Sequence, residues 1–290
     1  MKIWKKILKL ATVGVAVFAL AACGNKTEEK TEAQAPAQET AVAKARTVQE
    51  IKDSGVIRIG VFTDKAPFGY IDENGKNQGY DVYFTDRLAK DLGVKVEYIS
   101  LDPASRVEYA ETGKADIVAA NFTVTPERAE KVDFSLPYMK VSLGIVSPEG
   151  APIKDVKELK GKKLIVNKGT TAEIYFTKNY PDIELLKYDQ NTETFNALLD
   201  KRGAALAHDN TLVFAWATEN PGFVVDVKQL GEQDYIAPAV RKGNKELLDW
   251  LNTEIDALTK EGFFEKAYKA TLEPVYGNKV DPKTVIIENK

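Results

Sequence analysis

From about position 47 onward, apolar residues alternate between two spacings. VIRIGVF (56–62) and KVEYIS (95–100) are short runs rich in β-branched residues and predict strands. Between them Val82, Phe84, Leu88 and Leu92 recur at helical spacing and stop at Gly93, a residue suited to a left-handed helix cap. The same reading predicts a helix near Arg106–Thr112, a strand over 115–122 (ADIVAANF), a helical turn from Pro126 and an extended run over 140–149. A second series follows, in which KKLIVNKG leads into TTAEIYFTKNY, ELLKYD into TETFNALLDKRG, and AALAHDN into TLVFAWATEN. Short strands alternating with helices predict two mainly parallel sheets with right-handed crossovers.

The order of the elements predicts two α/β lobes joined by two extended crossings, VSLGIVS (141–147) outward and YIAPAV (235–240) back. Residues 47–141 and 241–290 then form lobe one, with the C-terminal helices, and 142–240 form lobe two. Two crossings make a hinge, and hinge closure turns two half-sites into one enclosed site.

The first 46 residues follow other rules. Lys2, Lys5, Lys6 and Lys9 precede an apolar stretch from Leu10 to Ala22, shorter than the roughly 20 residues of a comfortable membrane span. Residues 1–22 therefore read as a secretion signal. Its end, Leu-Ala-Ala-Cys-Gly, resembles the bacterial lipoprotein box, which implies that Cys23 carries lipid on its sulfur. Cys23 is the single cysteine, so no intramolecular disulfide can form. Residues 23–46, rich in Ala, Glu, Gln and Thr and free of aromatics, are expected to be a disordered tether; a flexible coil of about 20 residues spans roughly 25 Å.

Composition narrows the classes. The 290 residues are 44% hydrophobic and 29% charged, with 40 basic and 43 acidic side chains. Such a mildly acidic chain has no footprint for nucleic acid. The only histidine is His208, so no zinc site or Ser-His-Asp arrangement is expected, and Gly-x-Gly-x-x-Gly and Walker patterns are absent. His208 precedes Asp209 on a predicted strand, where neighbours face opposite sides, so it reads as a packed residue and not as a base.

The fragments GVFTDKAPFGYIDENGKNQGYDV, ADIVAANFTVTPERAEKVDFSLPYM, LKGKKLIVNKGTTAE and GAALAHDN resemble the polar amino-acid solute-binding proteins of ABC importers, bacterial extracellular solute-binding protein family 3. The resemblance covers residues 50–275 in consistent order. It implies a type II periplasmic-binding-protein fold with two hinge crossings, no enzymatic activity, no cofactor, and a permease with its ATPase as partners. It further implies an extracytoplasmic address, lipid-anchored at the cell membrane, and a monomer is expected. KNQGYDV, ANFTVTPERAE, NKGTTAE and IAPAVRKGNKELLDWLN are similar to cysteine-binding members, so cysteine is the expected ligand, with aspartate or glutamate as the alternative. A surface adhesin and an amino-acid lyase or dehydratase are the alternatives from other classes.

Ligands of open α/β sheets bind beyond the carboxyl ends of strands. Arg128 lies just past such an end, where its guanidinium can hold a carboxylate through two charge-assisted bonds and a backbone N–H near Thr123 adds a donor. The resemblance implies that Arg128 grips the α-carboxylate and that Asp209 pairs with the α-ammonium. Helix capping is the competing role for Asp209, unless Asn210 takes it. Thr170 and Thr171, after Gly169, supply hydroxyls and N–H groups. Lys65 stands where many relatives carry an aromatic lid, and Arg106 is a second candidate cation; Phe68, Asn121 and Phe122 are candidate pocket walls.

Overall fold

The computed structural model describes residues 44–277 and 279–287. The expected signal segment, Cys23 and most of the tether lie outside them.

Helix α1 (Val48–Ser54) begins where Thr47 Oγ1 accepts the Glu50 N–H and Glu50 Oε2 accepts the Thr47 N–H at 2.7 Å. This reciprocal cap fixes its start. Strand β1 (Val56–Val61) is followed by a small antiparallel sheet of β2 (Asp64–Lys65), β3 (Gly69–Ile71) and β4 (Asn77–Gln78). Helix α2 (Tyr80–Leu92) buries Val82, Phe84, Leu88 and Leu92 and ends at Gly93 with φ 78°. Strand β5 (Lys95–Ser100), α3 (Arg106–Glu111), β6 (Ile117–Val118), α4 (Pro126–Ala129) and β7 (Val132–Phe134) complete this run. Strand β8 (Met139–Pro148) leaves it for β9 (Lys163–Asn167), α5 (Thr171–Asn179), β10 (Glu184–Tyr188), α6 (Asn191–Leu199), β11 (Ala205–Asp209) and α7 (Asn210–Glu219). Strand β12 (Phe223–Ile236) brings the chain back to β13 (Ala239–Arg241), and α8 (Lys245–Lys260), α9 (Phe263–Thr271) and α10 (Glu273–Tyr276) follow.

Two five-stranded sheets result, ordered β5-β1-β6-β13-β7 and β10-β9-β11-β8-β12. They are more mixed than the alternating pattern predicts. Strands β5, β1 and β6 are parallel, as are β10, β9 and β11, but β8, β12 and β13 pair antiparallel. The reason is connectivity: these are the strands that carry the chain between lobes, and they enter each sheet from the opposite end. The strand expected over 115–122 shrinks to Ile117–Val118, because Asn121 adopts φ 45° and turns the chain out of the sheet.

The two crossings lie side by side. Ile236 pairs with Met139 and Tyr235 with Lys140, and Thr123 bridges Ile236. A third connection comes from the C-terminal helices, since Tyr276 Oη donates to the Thr211 carbonyl of α7 at 2.9 Å. One apolar cluster runs from Ile57 and Phe84 through Tyr138 and Met139 to Ile165 and Leu206, so the hinge region is part of the core. Among the described residues no helix is long and apolar enough to cross a membrane.

The folded region starts before residue 47. Asp116, at the start of β6, accepts from Arg46 Nε at 2.9 Å, from Arg58 Nη2 at 2.9 Å and from the Arg58 N–H at 2.8 Å. Burial opposes ionisation of this carboxyl, and the bonds from Arg46 and Arg58 more than offset it, holding its pKa below the usual range. An acid with a depressed folded pKa contributes stability above its unfolded value of about 3.9, and that stability is lost as pH falls through the folded pKa. Asp116→Asn is expected to cost about 2 kcal/mol at pH 7. Denaturant unfolding of both proteins should show the gap narrowing below about pH 4.

Candidate functional site

The site forms where strand ends from both lobes face one another. On the first lobe, Lys65 ends β2, Arg106 opens α3, and residues 121–123 follow β6. Arg128 sits in a four-residue helix whose start is fixed by Thr125 Oγ1 accepting the Arg128 N–H. On the second lobe Gly169 and Thr170 precede α5, and Asp209 ends β11.

Arg128 is 7% exposed. Its Nη1 donates to the Thr123 carbonyl at 2.6 Å and its Nη2 crosses the cleft to the Gly169 carbonyl at 2.8 Å. Arg106 donates through Nε to Pro103, through Nη1 to the carbonyls of Ala120 and Asn121, and through Nη2 to the same Gly169 carbonyl at 3.1 Å. Both guanidinium carbons lie over the Phe122 ring, at 4.7 Å for Arg106 and 5.0 Å for Arg128. Among the described residues neither arginine has a carboxylate within ion-pair distance; the acids that act on Arg128 from farther off are Asp209, half-buried Asp234 and exposed Glu127. Burial lowers the pKa of Arg128 to about 10, which leaves it charged at neutral pH, and burial together with Arg128 pushes that of Arg106 well down.

Lys65 pairs with Asp209 across the cleft. Its Nζ lies 2.8 Å from Asp209 Oδ2 and 2.6 Å from Asn121 Oδ1. Asn121, at φ 45°, is placed by the same backbone turn that ends β6. For Asp209 burial opposes ionisation, but Lys65 holds the carboxyl far below its usual range. Asp209 makes no side-chain cap on α7; Asn210 Oδ1 accepts the Thr211 N–H at 2.8 Å instead. Helix α7 thus starts without a side-chain cap, and the Asp209 carboxylate is turned to the cleft, where Lys65 holds it.

A cavity of about 10 Å³, room for little more than one water, lies between these groups, lined by Lys65, Arg106, Thr123, Thr170, Thr171 and Asp209, and also by Phe62, Pro103 and His208. Thr170 is buried and caps α5 by accepting the Glu173 N–H, while its own hydroxyl donates to Asn167. Phe68 and Phe122 stand behind the cavity within the core, as supports for Lys65 and the two arginines. Phe62, Pro103 and His208 are wall residues that the sequence reading did not select. Phe62 sits on the apolar run of β1 and nothing in the pattern separates it from core. His208 Nδ1 accepts the Asp209 N–H at 2.7 Å, and burial and the nearby Lys65 lower its pKa, so the ring is neutral.

Further contacts close the cleft away from the cavity. Asp64 Oδ1 accepts Asn191 Nδ2 at 2.9 Å and Oδ2 accepts the Thr192 N–H at 3.2 Å, so a first-lobe carboxylate caps α6 of the second. Gly169, at φ 72°, packs so closely that an added Cβ would lie 2.5 Å from the Ala104 Cα. Only glycine fits both that backbone and that gap.

The sequence profile described as "Bacterial extracellular solute-binding proteins, family 3" matches residues 57–273. The chain belongs to this family. As a family 3 solute-binding protein it binds amino acids outside the cytoplasm and works with the permease and ATPase of an ABC importer; it is a receptor and not an enzyme. Among curated relatives, the ABC transporter glutamine-binding protein GlnH of Bacillus subtilis (strain 168) is 30% identical over 271 residues, covering 91% of this chain and 96% of that one. The solved structure of a solute receptor for L-cysteine from Neisseria gonorrhoeae is 59% identical with a TM-score of 0.83, covering 84% of this chain and all of that one. A cysteine-binding protein from Campylobacter jejuni is 54% identical with a TM-score of 0.82, covering 83% and 99%.

Because an added Cβ at Gly169 would run into the Ala104 backbone of the first lobe, Gly169→Ala should hold this solute-binding protein open. Small-angle scattering under a saturating amino acid is expected to show the compact form for the parent and the extended form for the variant. An equally compact variant would mean that closure does not pass through Gly169.

Proposed function

We propose that this chain is the L-cysteine receptor of its importer and captures the amino acid by closing the two lobes on it. One observation carries the reading: two buried guanidinium groups, with no carboxylate within ion-pair distance among the described residues, converge on a single carbonyl, opposite an ionised Asp209. A zwitterionic amino acid complements that arrangement. Its carboxylate takes the place of the Gly169 carbonyl on Arg128, with Thr123, Thr170 and Thr171 beside it. Its ammonium binds Asp209, whose Oδ2 is engaged by Lys65 and whose Oδ1 faces the ligand. Asn121 holds Lys65, and Phe68 and Phe122 support the cations from behind.

The two cysteine-binding relatives support cysteine. Aspartate or glutamate is the second reading, because the cations Lys65 and Arg106 line the cavity. Each lobe holds half of the ligand contacts, so the ligand favours closure by its differential affinity for the closed state.

Calorimetry of the full chain against the twenty amino acids and cystine is expected to select L-cysteine. Arg128→Lys should weaken that binding about 100-fold, since a point charge cannot reproduce two parallel bonds to a carboxylate. Selection of glutamate, or an Arg128→Lys protein that binds cysteine as the parent does, would refute the assignment.

Lipid attachment at Cys23 and a monomeric state complete the proposal. The lipoprotein-type sequence around Cys23 supports the first. Cys23→Ala is expected to abolish incorporation of labelled fatty acid and to release the protein or leave its precursor unprocessed. Persistent labelling of the variant would exclude this anchor.

A further inference from the structure

The cleft carries more positive charge than a zwitterion can balance. Lys65 from β2 and Arg106 from α3 line the cavity, and Arg128 from α4 adjoins it. The cavity wall supplies one carboxylate, Asp209 of β11. Its neighbour His208 is neutral. Three other acids lie outside the cavity wall: Asp102, which acts on Arg106 and accepts the Ala104 and Ser105 N–H groups, and two farther back. Asp81 of α2 is fully buried behind Lys65, where it accepts Tyr138 Oη at 2.6 Å and burial raises its pKa to about 7, so it is only partly ionised at neutral pH. Asp234 of β12 is half-buried, and burial and Asp209 both raise its pKa. Neither lines the cavity.

The bound amino acid changes this balance little. Its carboxylate answers Arg128, and its ammonium adds a fourth cation that shares Asp209 with Lys65. Arg106 then has only carbonyl dipoles, and Lys65 has half a carboxylate. An ammonium offers three donors, of which Lys65 uses two, on Asp209 and Asn121. Lys65 and Arg106 both line the cavity beside Asp209, so the third substituent of an amino acid held between Arg128 and Asp209 lies next to them.

Resting on the cysteine reading above, we infer that the receptor binds cysteine as its thiolate, with Lys65 and Arg106 as the groups that select the anion. The thiolate supplies one of the missing negative charges with a single atom. Serine and 2-aminobutyrate match cysteine in size but cannot supply the charge near neutral pH, so Lys65 and Arg106 become determinants of specificity.

The thiol proton must leave for the buffer, and that is measurable. Free cysteine has a thiol pKa of about 8.5, so at pH 7 nearly every molecule that binds as the thiolate releases one proton. Full-length protein is titrated with L-cysteine and with L-2-aminobutyrate in two buffers of different ionisation enthalpy, from pH 6 to pH 8. Cysteine is expected to release about one proton more than 2-aminobutyrate at pH 7, and the ratio of the two affinities to rise about tenfold per pH unit. The comparison between ligands removes any proton taken up or lost by Asp81 on closure. Lys65→Met should shrink both the extra proton and the cysteine preference.

Equal proton release for the two ligands, or an affinity ratio that stays flat with pH, overturns thiolate binding while leaving cysteine capture intact. Absence of cysteine binding, with heat from another amino acid instead, overturns the cysteine reading and this inference with it.

Discussion

The Gly169 carbonyl is the point on which the closed cleft depends. Two guanidinium groups of the first lobe donate to this one oxygen of the second, and both sit over the ring of Phe122. Like charges buried together repel, and carbonyl dipoles with a polarisable ring offset that only in part. The arrangement persists because the backbone around it is overdetermined. Arg106 holds three further carbonyls of its own lobe, and Arg128 is fixed by a short capped helix. What results is a cluster of charged donors held on a neutral oxygen, where a carboxylate would bind better.

Closure draws on contacts that never touch the ligand. The Asp64 cap on α6 and the bond from Tyr276 to Thr211 both join the lobes outside the cavity. Contacts of this kind stabilise the closed form whether or not an amino acid is present, and so raise its share in the free protein. A larger closed share lowers the work the ligand must do, but it also reduces the discrimination between free and loaded receptor that a permease reads. A few polar contacts of this kind suit that compromise, because each contributes modestly.

The alternating hydrophobic pattern was enough to place the strands and helices that position the site. The helix through Phe84 and Leu88, the strand ending at Asp209 and the turn carrying Arg128 all lie where spacing and capping residues put them. Antiparallel entry of β8, β12 and β13 was not legible, because apolar spacing carries no strand direction. Nor was the sheet of β2, β3 and β4, whose strands are two or three residues long. The site shows the same division. Charged residues at strand ends announced themselves, while Phe62 and Pro103 are ordinary residues given a role only by the approach of the second lobe. Asn121 is the instructive case: its side chain holds Lys65 and its left-handed backbone ends β6, and neither property is written in an apolar run.

Lys65 shows how one substitution redirects a whole site. An aromatic side chain at this position would cover a ligand through a polarisable face and leave Asp209 to a single ammonium. Lysine instead places a cation on Asp209 before any ligand arrives. That pairing keeps the buried carboxylate ionised, and it halves the negative charge available to the incoming ammonium. Affinity for the zwitterionic part is therefore weakened, and recovery must come from a group that answers the added cation. Selectivity in this cleft thus rests on an element that penalises ligands lacking a third charged or polar substituent, which is discrimination by repulsion as much as by attraction.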